Sequence, residues 1–411
     1  MRALVFGVDP EVVPAPPADA NPLLKNLAAT PMALQEIPDP QLIGPDWVVL
    51  QTRMTGICGS DTKQVLMDLG GDASDMSMTA FISFPQVLGH EVVADVLEAG
   101  PRVQGVEVGQ RVLLNCWLSC GPRGLTPMCP PCQAGDFSQC WHFHDGRLAP
   151  GIHTGNSSDA TGGFAERLPA HDSMAIPVPD DVSDEIAVLA DPFAVSLHGI
   201  VRNPPPPDGR VVVWGGGALG SAAVAILRGL RPDVEVAAVV RHPAQQDLAR
   251  KLGALVFDSE QDPEALLVAL AGWSGGVLRT PWAGLPVTHP GFVDVVYDTI
   301  GSPHTIELGL RILRTRGSVV VSGVNAPARF EWSPLYFKEA RIVGSNAFGV
   351  EEVEGVRKHA IEHYLDLVRA GRVDLSPMLT HTFRLEQWRD AWTTIAEQHH
   401  TGAIKCAFDF R

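Results

Sequence analysis

Three groups of residues in this 411-residue chain are of types, and at spacings, that do chemistry. The first is Gly215, Gly217 and Gly220 in the run GGGALG, which also holds Ala218 and Leu219. It follows an apolar strand-like stretch, VVVWG, and opens an apolar helix-like one, SAAVAILRGL. Glycines at such a strand-to-helix turn allow a close backbone approach, so a pyrophosphate can rest on the unpaired N–H groups and positive end of the helix. A dinucleotide is the expected ligand. About 20 residues past the glycines, where a carboxylate would bond a ribose 2′-hydroxyl, the chain has Val240, then Arg241 and His242. An arginine there can take a 2′-phosphate bidentately, which favours NADP(H) over NAD(H); the alternative is a solvated arginine with NAD(H) still bound.

The second group is cysteine. Of seven cysteines, five (Cys116, Cys120, Cys129, Cys132, Cys140) crowd one stretch. In a chain expected to be cytoplasmic this favours metal over disulfide. Cys120, Cys129, Cys132 and Cys140 offer four thiolates to one tetrahedral zinc, a closed shell with no open position, so the expected role is structural. The third group is Cys58 in GICGSD, His90 in GHE and Asp191 in LADPF. Each is a weak signal by itself; Cys58 and His90 become credible as ligands only with a third, which Asp191 supplies.

These groups need elements to hold them. MRALVFGV and WVVLQT read as strands in a β-rich first part with Pro/Gly-rich connections up to about residue 190. Pro204 to Pro207 mark a break. From Arg210, VVVWG, SAAVAILRGL, VEVAAVV, PAQQDLARKLGA, VDVVYDTIG, TIELGLRILR and SVVVSGV alternate short apolar strands with helices, the pattern of a parallel sheet with crossover helices. Gly272 to Phe292 has no periodicity and reads as an inserted loop. The fold class expected is α/β, with two domains from length alone.

Composition narrows the partners. Hydrophobic residues make 45% and charged residues 19% of the chain, a globular balance. A formal charge of −16 without a basic run disfavours nucleic acid and anionic membrane. No apolar stretch is long enough to span a bilayer, and the N-terminus lacks the features of a secretory signal, so a soluble cytoplasmic protein is expected.

GICGSD, LGHE, the cysteine lobe, GGFAE (Gly162 to Glu166), ADPFAV and GGGALG occur in one order, with KEARIVGS and GAIKCAF after them. In this the chain resembles the zinc-dependent medium-chain dehydrogenase/reductases over nearly its whole length. The resemblance implies a GroES-like β-barrel catalytic domain over residues 1–195, a doubly wound Rossmann domain over 196–338 and a C-terminal segment, 339–411, completing the first domain. It places the catalytic zinc on Cys58, His90 and Asp191, with Glu91 as an exchangeable fourth ligand. Ser60 is implied as the proton relay, with Lys63 extending it. Two zinc ions per chain, catalytic and structural, are therefore expected.

The family has two residues where this chain has eight between Cys120 and Cys129, so the fourth lobe ligand is Cys120, Cys116 or absent. Cys120 is preferred on its distance from the Gly109–Val112 turn, and Cys116 then reads as a strand residue. An aspartate at the third catalytic position points to secondary alcohols or polyols and their ketones as substrates. Hydride transfer to or from the nicotinamide is the expected reaction; alternatives are a C=C or C=N reductase, or a cofactor-binding protein without turnover. The family's habit of pairing Rossmann sheets through their last strand, read here as Ser318 to Val324, implies a homodimer or homotetramer.

Four stretches are longer than in the family, near residues 10–24, 65–84, 141–160 and 272–292. Met67, Met76, Met78, Phe81 and Phe84 in the second either line a pocket or cover a core edge. His142 and His144 would share one face of a strand and have no assigned role. Cys406 reads as a small packed hydrophobe.

Overall fold

The computed structural model of the chain describes residues 1–68, 77–325 and 329–411. It divides into two compact units. One comprises Met1–Asp191, Phe348–Arg369 and Leu379–Arg411, the other Pro192–Ala347 and Ala370–Met378.

The second unit is built on a six-stranded sheet in the spatial order Leu255–Asp258, Glu235–Val240, Arg210–Trp214, Val293–Asp298, Leu313–Val321, Arg341–Gly344. Every neighbouring pair is parallel. Numbered along the chain this is the order 3-2-1-4-5-6 of the dinucleotide-binding sheet. Both faces are covered, which is why its strands read as runs of valine and not as alternation: Val211, Val212 and Val213 are wholly buried. The helices Ala218–Leu230, Pro243–Lys251, Pro263–Ser274 and Pro303–Ile312 carry the crossovers. The last ends against Lys338, whose buried ammonium donates to the carbonyls of Leu310, Arg311 and Leu313 at 3.1, 2.8 and 2.6 Å, where a helix leaves its acceptors unpaired.

The stretch Gly272 to Phe292 is not all loop: Gly272 to Ser274 finish a helix, and Leu278–Arg279 pairs antiparallel with Val287–Thr288. Two-residue strands are too short to leave a periodic signal. The sheet's last strand is Arg341–Gly344, from KEARIVGS, and it covers the edge of the strand formed by SVVVSGV.

In the first unit the strand Trp47–Gly56 is the hub. It pairs antiparallel with Glu91–Ala99 along its length, with Arg167–His171 near its start and with Lys405–Asp409 near its end. The sheet continues through Arg111–Leu114 to Ala175–Pro177 on one side and to Leu379–Phe383 on the other. A second sheet orders Met32–Glu36, Arg2–Phe6, Gln86–Val87. Between them packs a core containing Leu4, Phe164, Trp392 and Phe408, the last three ring against ring at 5.2 to 5.7 Å. Asp184, its side chain 1% exposed, gathers Arg53, Arg111 and Arg411 at 2.8, 2.9 and 3.3 Å, compensating a carboxylate that would be costly to bury alone.

Residues 121–128 and 145–151 share one anchor, Arg123. Only 1% exposed, it donates to the carbonyls of Leu118, Asp145, Leu148, Ala149 and Gly151 at 2.7 to 3.2 Å. Two further expectations fail in this region. His142 and His144 lie in turns, where His142 Nδ1 is 2.8 Å from Asp145 and the His144 ring meets Phe81. Cys116 falls two residues beyond the strand Arg111–Leu114. Of the five apolar residues near 65–84, Met67, Met78, Phe81 and Phe84 are exposed, and Met76 is outside the described residues.

Candidate functional site

Three strand ends of the first unit converge on one point. Gly56 faces Glu91 in register on one side and Ala407 on the other, and the chain then turns through Ile57 to Cys58. A β-carbon at Gly56 would run into the Glu91 carboxylate and sit 3.0 Å from Lys405 Cε, so the close approach needs glycine. Cys58 caps the helix Gly59–Val65. Asp61, in its first turn, accepts from the Cys58 N–H at 3.0 Å and presents its other oxygen 3.6 Å from His90 Nδ1.

The outcome is a cluster in which ligand atoms of Cys58, His90 and Glu91 all lie within 4.8 Å of one another. Asp191 is not in it. Buried at the start of the helix Ala190–Arg202, its Oδ2 stands 4.0 Å from Cys116 Sγ. Burial pushes the Asp191 carboxyl up to about 7, against the pull of His90. Burial also raises Asp61 and the Cys116 thiol, the latter helped by Asp191. For His90 burial works downward and is outweighed by Asp61 and Cys58, which hold the ring well above its ordinary value.

Two members of the surroundings were not singled out from sequence. Lys405, buried, forms an ion pair with Glu91 and donates to the Ile57 carbonyl at 2.9 Å. Glu91 outweighs burial and keeps the ammonium above its usual range. His153 lays its ring 4.5 Å from that of His90, with Trp117 edge-on at 6.0 Å behind it; burial and His90 depress it to about 3. Ser60 is exposed and Lys63 half-buried on the same helix as Asp61, and burial lowers the lysine.

The second cluster is Cys120, Cys129, Cys132 and Cys140, all buried, with their sulfurs within 4.8 Å of one another. Cys120, not Cys116, lies in the lobe: its sulfur is 3.7 Å from that of Cys140 and accepts from the Cys129 N–H at 3.4 Å. Pro130 and Pro131 open a short helix that carries Cys132, and Gly135 closes it with positive φ. Leu125, Phe137, Phe143 and Ile152 pack around the thiols. Burial opposes ionisation of Cys129, yet backbone N–H groups of Trp141 and Cys132 bring it down to about 7.

In the second unit the glycine turn lies between the strand Arg210–Trp214 and the helix Ala218–Leu230. Gly215 has φ +104°, and a β-carbon on Gly220 would strike the Gly215 carbonyl. Gly217 is the N-cap, and a β-carbon there would meet no atom within 4 Å. Arg241 and His242 follow the strand Glu235–Val240; His242 caps the next helix, and Arg241 Nε lies 2.9 Å from Glu260, both side chains well exposed.

Residues 44–180 match the family described as the alcohol dehydrogenase GroES-like domain, and residues 218–362 match that described as zinc-binding dehydrogenase. The chain belongs to the zinc-dependent medium-chain dehydrogenase/reductases, oxidoreductases that move hydride between an alcohol and its ketone with a nicotinamide cofactor. It is 27% identical over 336 residues to the (R,R)-butanediol dehydrogenase of Saccharomyces cerevisiae, covering 78% of this chain and 81% of that one. It is 28% identical over 375 residues to the L-threonine 3-dehydrogenase of Rhizobium etli, covering 90% and 93%. A Sinorhizobium meliloti protein described as a zinc-binding dehydrogenase and solved with NADP has the same fold, at a TM-score of 0.69 and 24% identity over 92% of this chain and 96% of that one. Among the described residues no helix is long and apolar enough to cross a membrane.

Proposed function

We propose that the chain is a zinc-dependent, NADP-preferring dehydrogenase of secondary alcohols or polyols. The observation that carries this reading is the meeting of the half-buried Cys58 thiol with the buried His90 imidazole and Glu91 carboxylate within 4.8 Å, with Asp61 near the imidazole and Lys405 paired to the carboxylate. Sulfur, nitrogen and oxygen donors in that number suit zinc with a position left open. Zinc, when bound, supplies a Lewis acid that polarises the alcohol or ketone oxygen.

The remaining roles fall to side chains. Cys58 and His90 would hold the metal, with Asp191, a buried acid whose charge His90 influences, as the third ligand. Asp61, its Oδ1 3.6 Å from His90 Nδ1, would attract that ring by charge from the side that carboxylates take behind ligating histidines. Lys405 neutralises Glu91, and that carboxylate, beside Cys58 and His90, would be available as an exchangeable fourth ligand. Ser60 would accept the hydroxyl proton as it gives up its own, and Lys63, one turn further along the helix, would take that proton as the neutral amine and release it to water. The turn Gly215–Gly220 seats the pyrophosphate through Gly217, Ala218, Leu219 and Gly220 backbone.

Arg241 leaves Glu260 to meet a 2′-phosphate, with His242 beside it. Because a carboxylate competes for Arg241, the preference for NADP(H) is smaller than an unpaired arginine would give. Four thiolates of Cys120, Cys129, Cys132 and Cys140 hold a second zinc and pin the lobe. The chain assembles into a homodimer or homotetramer through the sheet edge at Arg341–Gly344, and light scattering at 44.0 kDa would contradict this.

The test is a panel of secondary alcohols, polyols and their ketones, followed through the absorbance of reduced nicotinamide with both cofactors. Turnover with NADP(H) supports the reading. A zinc-loaded protein silent across the panel refutes it.

A further inference from the structure

We infer that His153 is a specificity residue that accepts a hydrogen bond from a second hydroxyl, on the carbon next to the reacting carbinol, so that vicinal diols and polyols bind in preference to simple alcohols. The inference rests on the dehydrogenase reading above.

The ring lies against His90, a member of the Cys58/His90/Glu91 cluster, at 4.5 Å between centroids and a tilt of 46°. Its Nδ1 is 2.8 Å from the carbonyl of Thr154. A carbonyl only accepts, so Nδ1 carries the proton and Nε2 carries a lone pair. Among the described residues Nε2 has no protein partner. A donor from substrate completes it, and hydroxyls beside the reacting one are the donors a polyol brings to this place.

The ring is also held in place. The His153 N–H donates to Asn156 Oδ1 at 3.0 Å, its carbonyl accepts from the Asn156 N–H at 3.2 Å, and the residue forms an antiparallel bridge with Trp117. On either side, Leu118 N–H donates to the Ile152 carbonyl at 3.0 Å and Thr154 N–H to the Cys116 carbonyl at 2.8 Å. Arg123 anchors the approach at Gly151, 2.7 Å away. An acceptor fixed by this many backbone contacts loses little freedom on binding, which is the condition for discriminating between substrates.

The experiment is calorimetric titration of (R,R)-2,3-butanediol, its (S,S) isomer and 2-butanol into zinc-loaded protein with oxidised cofactor. The proteins are wild type, His153→Phe and His153→Gln, with zinc counted in each. Phenylalanine keeps a ring against His90 and Trp117 and removes the acceptor; glutamine restores an acceptor. One satisfied hydrogen bond predicts that wild type binds one diol isomer about tenfold tighter than 2-butanol, that His153→Phe erases this difference, and that His153→Gln recovers part of it, with zinc unchanged. Equal affinity for diol and mono-alcohol in wild type, an undiminished diol preference in His153→Phe, or loss of zinc from that variant overturns the inference. Binding without cofactor reduction by any alcohol refutes the dehydrogenase reading while the calorimetry still decides the role of His153.

Discussion

Lys405 and Glu91 form an ion pair with side chains 3% and 1% exposed, joining the chain's final strand to the residue beside His90. Removing one partner leaves the other charge buried alone, and such losses cost about 3 to 5 kcal/mol. Lys405→Met should therefore lower the unfolding free energy by that amount, whereas Glu91→Gln with Lys405→Met should recover much of it. Urea unfolding of both single variants and the double variant measures the coupling. Additive losses would show that the pair does not act as a unit.

Arg123 satisfies five carbonyls from 118–151. Arg123→Met keeps the volume and orphans those acceptors, so a loss of at least about 3 kcal/mol is expected, with new proteolytic cleavage between 145 and 151. A loss under about 1 kcal/mol, as for an ordinary surface change, would contradict the clamp.

For the cofactor, Arg241→Ala should remove most of the NADP(H) preference, a charge-assisted contact being worth roughly 1.5 to 3 kcal/mol. Glu260→Gln should act in the opposite direction, because it frees Arg241 from a competing carboxylate at 2.9 Å. Titration of both cofactors into the three proteins decides it, and equal affinities in wild type would assign NAD(H) as an equal partner.

His359 sets an acid limit. Its ring packs on Phe137 and Phe348, its Nδ1 accepts from the Ile361 N–H at 3.3 Å, and burial lowers it from 6.5 to about 4. The unfolded chain thus takes up the proton first. The contribution of neutral His359 is fully present above about pH 6.5 and is lost as pH falls through about 4, worth about 3 kcal/mol across the window. Unfolding free energies from pH 4 to 7 should fall less steeply toward acid in His359→Leu than in wild type; parallel curves would exclude His359.

Much of this was legible in sequence because it is local. The glycine turn sits between a strand and a helix that read as such, and Cys129, Cys132 and Cys140 lie on one short loop. What sequence did not give is what the fold brings from afar. Nothing in GAIKCAF marks Lys405 as the partner of Glu91, since their meeting depends on the strand 405–409 pairing with the end of 47–56. His153 reads as one histidine among several until Trp117 and Cys116 pin its backbone. Glu260 escapes notice because it reaches Arg241 only through the parallel pairing of 235–240 with 255–258. Cys116 beside Asp191 is likewise a contact between distant segments.

Two separate zinc sites are expected in each chain, one for chemistry and one for the lobe. The direct measurement is zinc per chain together with alcohol-dependent cofactor reduction in wild type, Cys58→Ser and Cys129→Ser. Wild type should hold two zinc ions; Cys58→Ser should keep one, retain its thermal stability and lose turnover, and Cys129→Ser should lose the other and unfold at lower temperature. One zinc in wild type that survives Cys58→Ser and vanishes in Cys129→Ser would contradict the catalytic metal at Cys58 and His90.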